Sequence, residues 1–302
     1  MGSPARFWHW LSDREVQCDL CPHYCRLKVG ATGRCQARAA TESGLVSLNY
    51  GLFTAICVDP IEKKPLYHFH PGTNILSLGS FGCNLNCPFC QNWEIARAKR
   101  PAVAELSPDE VVHLAEKSAR EAGSIGVAFT YNEPLMSIEY LLATLPKLQA
   151  AGQKSVLVTN GMINPEPWRE LLPYVDAVNL DIKAFTPNFY REVVGGDLAT
   201  VLAAAKMLFI AGVHLELTCL LIPGLNDELT EIGQLVDWIA AELSSEVPLH
   251  FSRYFPRYRM NNPPTSLQRL KEAVDLGRKQ LRYVYAGNAP ELGEEYTGRS
   301  PF

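Results

Sequence analysis

The chain is short of several things that would place it quickly. None of its 302 residues falls in a run of about 18 uncharged apolar residues, so nothing in it reads as a membrane span. The start, MGSPARFWHWLSDRE, lacks the apolar stretch of an export signal, and the expectation is a cytoplasmic protein with no membrane partner. Neither sign of charge dominates: 28 Lys and Arg against 32 Asp and Glu leave a formal charge of -4. With no basic stripe interleaved with aromatics, this balance argues against a nucleic-acid partner. Cysteine is almost missing from the last two thirds, since eight of the nine precede residue 91 and only Cys219 follows. A chain this long, 47% apolar, builds a core without disulfide staples. Cysteines clustered at ligand spacing therefore imply metal in a reducing compartment.

What is present divides the chain into three. Residues 1–45 read as a small Cys-rich module, too poor in periodic apolar runs to stand without metal. Residues 46–73 read as a connector with one or two short strands. From residue 74 short apolar runs alternate with helical patterns. NILSLGS, SIGVAFT, KSVLVTN, DAVNLDIK, VHLELTCLL and PLHFSRY are six predicted strands, with amphipathic segments between them. SPDEVVHLAEKSAREAG is the best signed helix, with Ser107 as cap, Pro108 at the first position and Glu110 completing a capping box. Gly123, Gly152 and Gly212 read as helix ends. Repeated strand and helix units predict an α/β fold with a parallel sheet, either doubly wound or curled into a partial (β/α)6 TIM-like barrel. Chemistry then belongs at the carboxyl ends of the strands. The barrel unit is read as 74–302, ending in a seventh short extended segment, RYVYAGN, and a loose tail.

The loop after the first strand, GSFGCNLNCPFCQNW, sets Cys83, Cys87 and Cys90 in a C-x3-C-x2-C pattern. Three soft thiolates hold three irons of a [4Fe-4S] cubane and leave the fourth open. An open iron suits a chelating cofactor such as S-adenosylmethionine (SAM), which an electron from the cluster can cleave to a 5'-deoxyadenosyl radical. The competing reading is a zinc knuckle completed by Cys57 or His68. Upstream, Cys18, Cys21, Cys25 and Cys35 give C-x2-C-x3-C-x9-C, four thiolates that suit zinc or a second iron-sulfur cluster equally.

Taken with DPIEKKPLYHFHPGT, FTYNEP, VTNG, DIKAF, LIPGLND and YVYAGN, the cluster motif resembles radical SAM proteins, in particular the AmmeMemoRadiSam type, relatives of the glycyl-radical-enzyme (pyruvate formate-lyase) activases. The resemblance spans residue 18 to about residue 290. It implies that Phe89 lies near the adenine and that Glu133 accepts hydrogen bonds from the SAM ammonium, where the plainer alternative is a helix-start carboxylate. Asn160 is placed at the cofactor. Asp181 and Lys183, two apart on one strand face, approach SAM and the reaction centre, or else form a structural ion pair. His250 resembles in position a histidine near SAM. Glu216, Thr218 and Arg253 are substrate-pocket candidates, the plainer alternative for Glu216 being a simple pair with Lys183.

These readings predict an oxidoreductase-type radical SAM enzyme that takes hydrogen from a protein or peptide, as activases do. Its alternatives are radical modification of a small metabolite and a metal-dependent protein- or RNA-binding module. The implied partners are a low-potential electron donor of flavodoxin or ferredoxin type and a protein substrate, Memo-like or AMMECR-like proteins being candidates.

Overall fold

A computed structural model describes residues 2–97 and 103–298. All six predicted strands form, the seventh extended segment joins them at one edge, and a strand from residues 46–73 joins at the other. In chain order they are β1 (Ala55–Pro60), β2 (Asn74–Gly79), β3 (Ser124–Thr130), β4 (Lys154–Thr159), β5 (Ala177–Asp181), β6 (His214–Leu221), β7 (Leu249–Arg253) and β8 (Val284–Gly287). Each strand pairs with the next in sequence, so the order never reverses. β2 to β8 run parallel and β1 is antiparallel on the edge. Sequential order without a switch point decides between the two predicted windings: it is that of a barrel, left open because β1 and β8 do not pair.

Helices cover the outside: α1 (Pro108–Ala122), α2 (Ile138–Ala150), α3 (Pro165–Leu171), α4 (Leu198–Ile210), α5 (Leu229–Glu242) and α6 (Leu267–Gly277). The capping box of α1 forms as predicted, and Gly123 ends that helix in the left-handed conformation. Outward strand residues such as Leu157, Val178, Leu180, Leu215 and Leu217 pack under these helices in the main core.

Inside the barrel the two ends differ. At the amino ends of the strands, Ile75, Ala128, Val156 and Ala177 pack on Ile61, Leu66 and Phe69 from the segment between β1 and β2. This apolar plug closes one end. The inward residues nearer the carboxyl ends are polar, and the register sets Asp181 beside Thr218, Thr218 beside His250, and His250 beside Tyr285.

Residues 46–73, expected as a connector with one or two short strands, thus supply an edge strand and also the plug. The amino-terminal segment is not loop held by metal alone: it forms two three-stranded antiparallel sheets, one of Trp8–Ser12, Glu15–Cys18 and Arg26–Lys28, the other of Ser3–Pro4, Arg38–Thr41 and Gly44–Ser47. Val16, Leu20 and Leu27 share the main core with barrel residues such as Leu85 and Met136. A fully buried ion pair joins Arg38 to Glu139 on α2. The tail, expected to be loose, is built into the cavity wall: Glu294–Thr297 is a helical turn, and Glu294, Thr297 and Gly298 line the cavity described below. Its last residues, 299–302, lie outside the described residues.

Candidate active site

A cavity of about 830 Å³ opens at the carboxyl ends of the strands. Loops that leave β2, β3, β4 and β5 bring Cys83, Cys87, Cys90, Phe89, Glu133, Asn160, Asp181 and Lys183 onto its walls, and His250 and Thr218 line it from β7 and β6. Residues scattered over 168 positions of sequence thus meet at one sheet edge, as the barrel winding requires.

The cysteine loop is held from several sides. Asn132, just past β3, accepts from the amide of Ser80 at 2.9 Å and donates to the carbonyls of Phe81 and Gly82 at 3.2 and 3.1 Å. Gly82 sits at φ +92°, and a Cβ there would lie 2.7 Å from the Ala37 side chain, so only glycine lets the loop pass this close to the amino-terminal sheets. Asn160 donates to Asn84 Oδ1 at 2.9 Å, and its Nδ2 lies 3.8 Å from Cys83 Sγ. Its side chain thus holds the cysteine loop, and Asn160 also lines the cavity, where a cofactor contact was expected of it.

Burial pushes the thiols up: Cys87 to about 11, Cys83 further, with the Glu133 carboxylate adding to the burial, and Cys90 in the same direction. At neutral pH they become thiolates on binding metal, which is the ordinary coupling of ligand ionisation to metal affinity. Among the described residues no three His, Cys, Asp or Glu side chains are grouped to hold one metal ion. A cubane places a different demand on the same loop, one thiolate for each of three irons. The zinc-knuckle alternative loses its fourth ligand: Cys57 is exposed on β1, and His68 is hydrogen-bonded to Tyr285 Oη at 2.7 Å.

Glu133 is fixed by three donors, the Leu135 amide (3.1 Å), the Thr159 hydroxyl (2.6 Å) and the Asn160 amide (2.8 Å). It caps the short helix Pro134–Ser137, so the plainer reading is true as well, but it also faces the cavity. Burial pushes its carboxyl up to about 7, with the three hydrogen bonds pulling against it. A cation placed beside it would satisfy the buried charge. Lys183 and Asp181 pair at 2.7 Å. Burial alone would lower the Lys183 ammonium, but Asp181 and the Cys87 thiol outweigh it and hold the group protonated.

Glu216 does not pair with Lys183. It lies wholly buried under the cavity floor, bonded by His214 at 3.0 Å, His250 at 2.7 Å and the amides of Tyr67 and His68 at 3.0 and 2.7 Å. These donors outweigh burial and hold it down to about 2. Its work is to tie the plug segment to β6 and to orient His250. Arg253 is turned away from the cavity, donating to the Thr265 carbonyl at 2.9 Å and to Glu291 at 3.0 Å. A group that residue types alone did not single out stands on the β1 side: Asp59 bonds Lys64 at 2.7 Å and accepts from the Tyr131 hydroxyl, and all three line the cavity. A buried acid-base pair signals itself only as the acid and twin lysines of DPIEKKP.

A family model described as the radical SAM superfamily matches residues 78–237, from the end of β2 into α5. The chain belongs to the radical SAM superfamily. An uncharacterized protein of Methanocaldococcus jannaschii is 37% identical over 290 residues, 95% of this chain and 85% of its own length. The pyruvate formate-lyase-activating enzyme of Streptococcus mutans is 25% identical over 230 residues, 72% of this chain and 86% of that one. Among solved structures, Streptococcus suis SuiB bound to S-adenosylmethionine superposes with a TM-score of 0.54 at 16% identity, over 71% of this chain and 52% of SuiB. The chain thus spans about half the length of SuiB, and the likeness is one of fold. Membership makes this radical SAM protein an enzyme of oxidoreductase type that uses SAM with an iron-sulfur cofactor, and its sequence is similar to those of pyruvate formate-lyase-activating enzymes.

Proposed function

We propose that this radical SAM enzyme generates a 5'-deoxyadenosyl radical at Cys83, Cys87 and Cys90 and uses it to take hydrogen from a protein or peptide. The observation that carries the reading is the meeting of three thiols with Glu133, Asp181 and Lys183 on one cavity wall. When bound, a [4Fe-4S] cluster on those thiols would supply an electron to the SAM sulfonium and an open iron for its amino and carboxylate groups. The protein's own part is positioning and charge. The carboxylate of Glu133, already fixed by three donors, accepts from the SAM ammonium. Lys183 offsets thiolate charge beside Cys87 and is itself restrained by Asp181. Phe89, buried on the cavity wall, offers its ring to the adenine. His250, locked by Glu216, presents its remaining ring face from the floor.

A cavity of about 830 Å³ lies toward the upper end of small-molecule sites, about 300–1,000 Å³, which leaves space for a substrate segment beside the cofactor. The relation to an activating enzyme over most of the chain favours a polypeptide there. Within the superfamily the motifs quoted above are those of the AmmeMemoRadiSam type, which makes Memo-like and AMMECR-like proteins the first substrates to try and a flavodoxin- or ferredoxin-type protein the reductant. The amino-terminal cysteines are read as a second metal centre, zinc or iron-sulfur. Anaerobic protein with SAM, reductant and each candidate polypeptide should form 5'-deoxyadenosine and a mass change on one of them. Formation of neither 5'-deoxyadenosine nor methionine would remove the radical reading, and turnover only with small metabolites would remove the polypeptide.

A further inference from the structure

Cys18, Cys21, Cys25 and Cys35 do not stand apart from the active site; they line a small enclosed pocket of about 10 Å³ whose wall includes Asn84, a residue of the Cys83 loop itself. Two hydrogen bonds join the two cysteine sets directly. The Cys83 amide donates to the Cys35 carbonyl at 3.1 Å, and the His23 ring meets the Asn84 carbonyl at 2.8 Å. A continuous bonded path therefore runs from the Cys35 sulfur through its own backbone, across one hydrogen bond, to the backbone and sulfur of Cys83.

Burial pushes the Cys21 and Cys35 thiols up, to about 12 and about 11, and one buried cation stands beside the set. Arg38, 1% exposed, lines the pocket and sends Nη1 to within 3.6 Å of Cys18 Sγ, while its Nε is buried with no partner. A buried guanidinium with one donor unpartnered and another 3.6 Å from a thiol is a suitable neighbour for a thiolate. The pocket also has direction. Cys18, Cys21 and Cys35 are buried, and Cys25 is partly exposed. One cysteine looks to solvent and another bonds to the active-site loop.

We propose that Cys18, Cys21, Cys25 and Cys35 hold a second [4Fe-4S] cluster that relays single electrons, entering on the Cys25 side and leaving through Cys35 to the Cys83 loop. This rests on the reading of Cys83, Cys87 and Cys90 as the SAM-binding cluster site. Either metal would brace the Cys83 loop through that contact, but only a redox-active cluster would also make it an electron path, since a zinc ion has no redox chemistry. In each transfer a low-potential one-electron donor protein is oxidised, the second cluster is reduced, and it is reoxidised as the electron passes on. No covalent bond breaks and no proton is required.

The test uses the full chain, reconstituted anaerobically, as wild type, as C83A/C87A/C90A and as C18S/C21S. Iron and acid-labile sulfide should each be about eight per chain in the wild type and about four in each variant. Dithionite-reduced C83A/C87A/C90A should keep a cluster spectrum by electron paramagnetic resonance that is indifferent to SAM. Should C18S/C21S not fold, C25A takes its place, with the loss of one iron and a three-iron signal in the oxidised protein. For the relay, reduced flavodoxin should reduce the SAM-responsive cluster quickly in the wild type, and that fast phase should be lost in the variant while dithionite still reduces the cluster. One zinc or no metal in C83A/C87A/C90A, beside a SAM-responsive wild type, overturns the second cluster and leaves the proposed function standing. An unchanged flavodoxin phase overturns the relay. A wild type indifferent to SAM instead sinks the proposed function, whatever the amino-terminal cysteines hold.

Discussion

Three thiols on the wall of a cavity of about 830 Å³ and four around a pocket of about 10 Å³ lie within one hydrogen bond of each other. The wide site is short of one sulfur and rich in groups that bind a cofactor, Glu133 and the Asp181–Lys183 pair. The narrow one has its full set of sulfurs, one buried arginine and no room for a substrate. An incomplete thiolate set beside open space suits chemistry at iron, whereas a complete set in an enclosed pocket suits conduction or bracing. The difference follows from the fold: the three-cysteine loop leaves the carboxyl end of a barrel strand, and the four cysteines sit between small antiparallel sheets packed on its flank.

The comparison breaks most completely at Cys83. Cys83→Ala should reduce 5'-deoxyadenosine formation to background, measured by mass-resolved chromatography, while metal bound by the amino-terminal cysteines remains; retained activity would put the chemistry elsewhere. Next in size is Arg38→Met, which leaves Glu139 charged and buried without its partner. Breaking such a pair costs about 3–5 kcal/mol, so denaturant unfolding should shift by that order, with a loss below about 1 kcal/mol contradicting the burial.

Glu133→Gln tests the wide site alone. It keeps the shape and removes the charge facing the SAM ammonium, which should weaken SAM binding by about 1.5–3 kcal/mol in calorimetry and leave the narrow site's metal content unchanged. The pH dependence carries a sign in each state. With its carboxyl pushed up to about 7 by burial, folded Glu133 holds a proton that the unfolded chain has released, so stability falls as pH rises from the ordinary carboxylate range through about 7. SAM affinity runs the other way, rising with pH and levelling off above about 7, because the ammonium needs the carboxylate. A flat affinity profile in the wild type would separate Glu133 from the cofactor. The smallest effect is expected at Ser107, the cap of α1, which lines neither site. Ser107→Ala should cost about 1 kcal/mol in thermal unfolding and change neither metal content nor SAM binding.

Much of the barrel was legible because its strands are short apolar runs bounded by Gly, Asn or Pro, and because Ser107, Pro108 and Glu110 write a helix start in plain chemistry. Cys83, Cys87 and Cys90 were legible by spacing, and Glu133, Asn160, Asp181 and Lys183 by their place just past strands. What escaped depends on partners far away in sequence. Arg38 and Glu139 look like two surface charges until α2 packs against the amino-terminal sheets. Glu216 sat on the correct strand face, but its partners His250, Tyr67 and His68 come from another strand and from the plug. Short strands were expected within 46–73, but the place of Ala55–Pro60 on the sheet edge depends on its pairing with β2, and Arg253 turned outward to meet Glu291. The bond of Asn160 to the cysteine loop required a side-chain direction that sequence does not carry.

The account turns on an iron at Cys83, Cys87 and Cys90 that lacks a fourth protein ligand. Electron paramagnetic resonance of the anaerobically reduced protein, recorded before and after adding SAM, reads this directly. The prediction is a cluster signal whose g values shift on addition of SAM and which is absent from C83A/C87A/C90A. A signal from those three cysteines that ignores SAM would mean a fully ligated centre and would contradict the account.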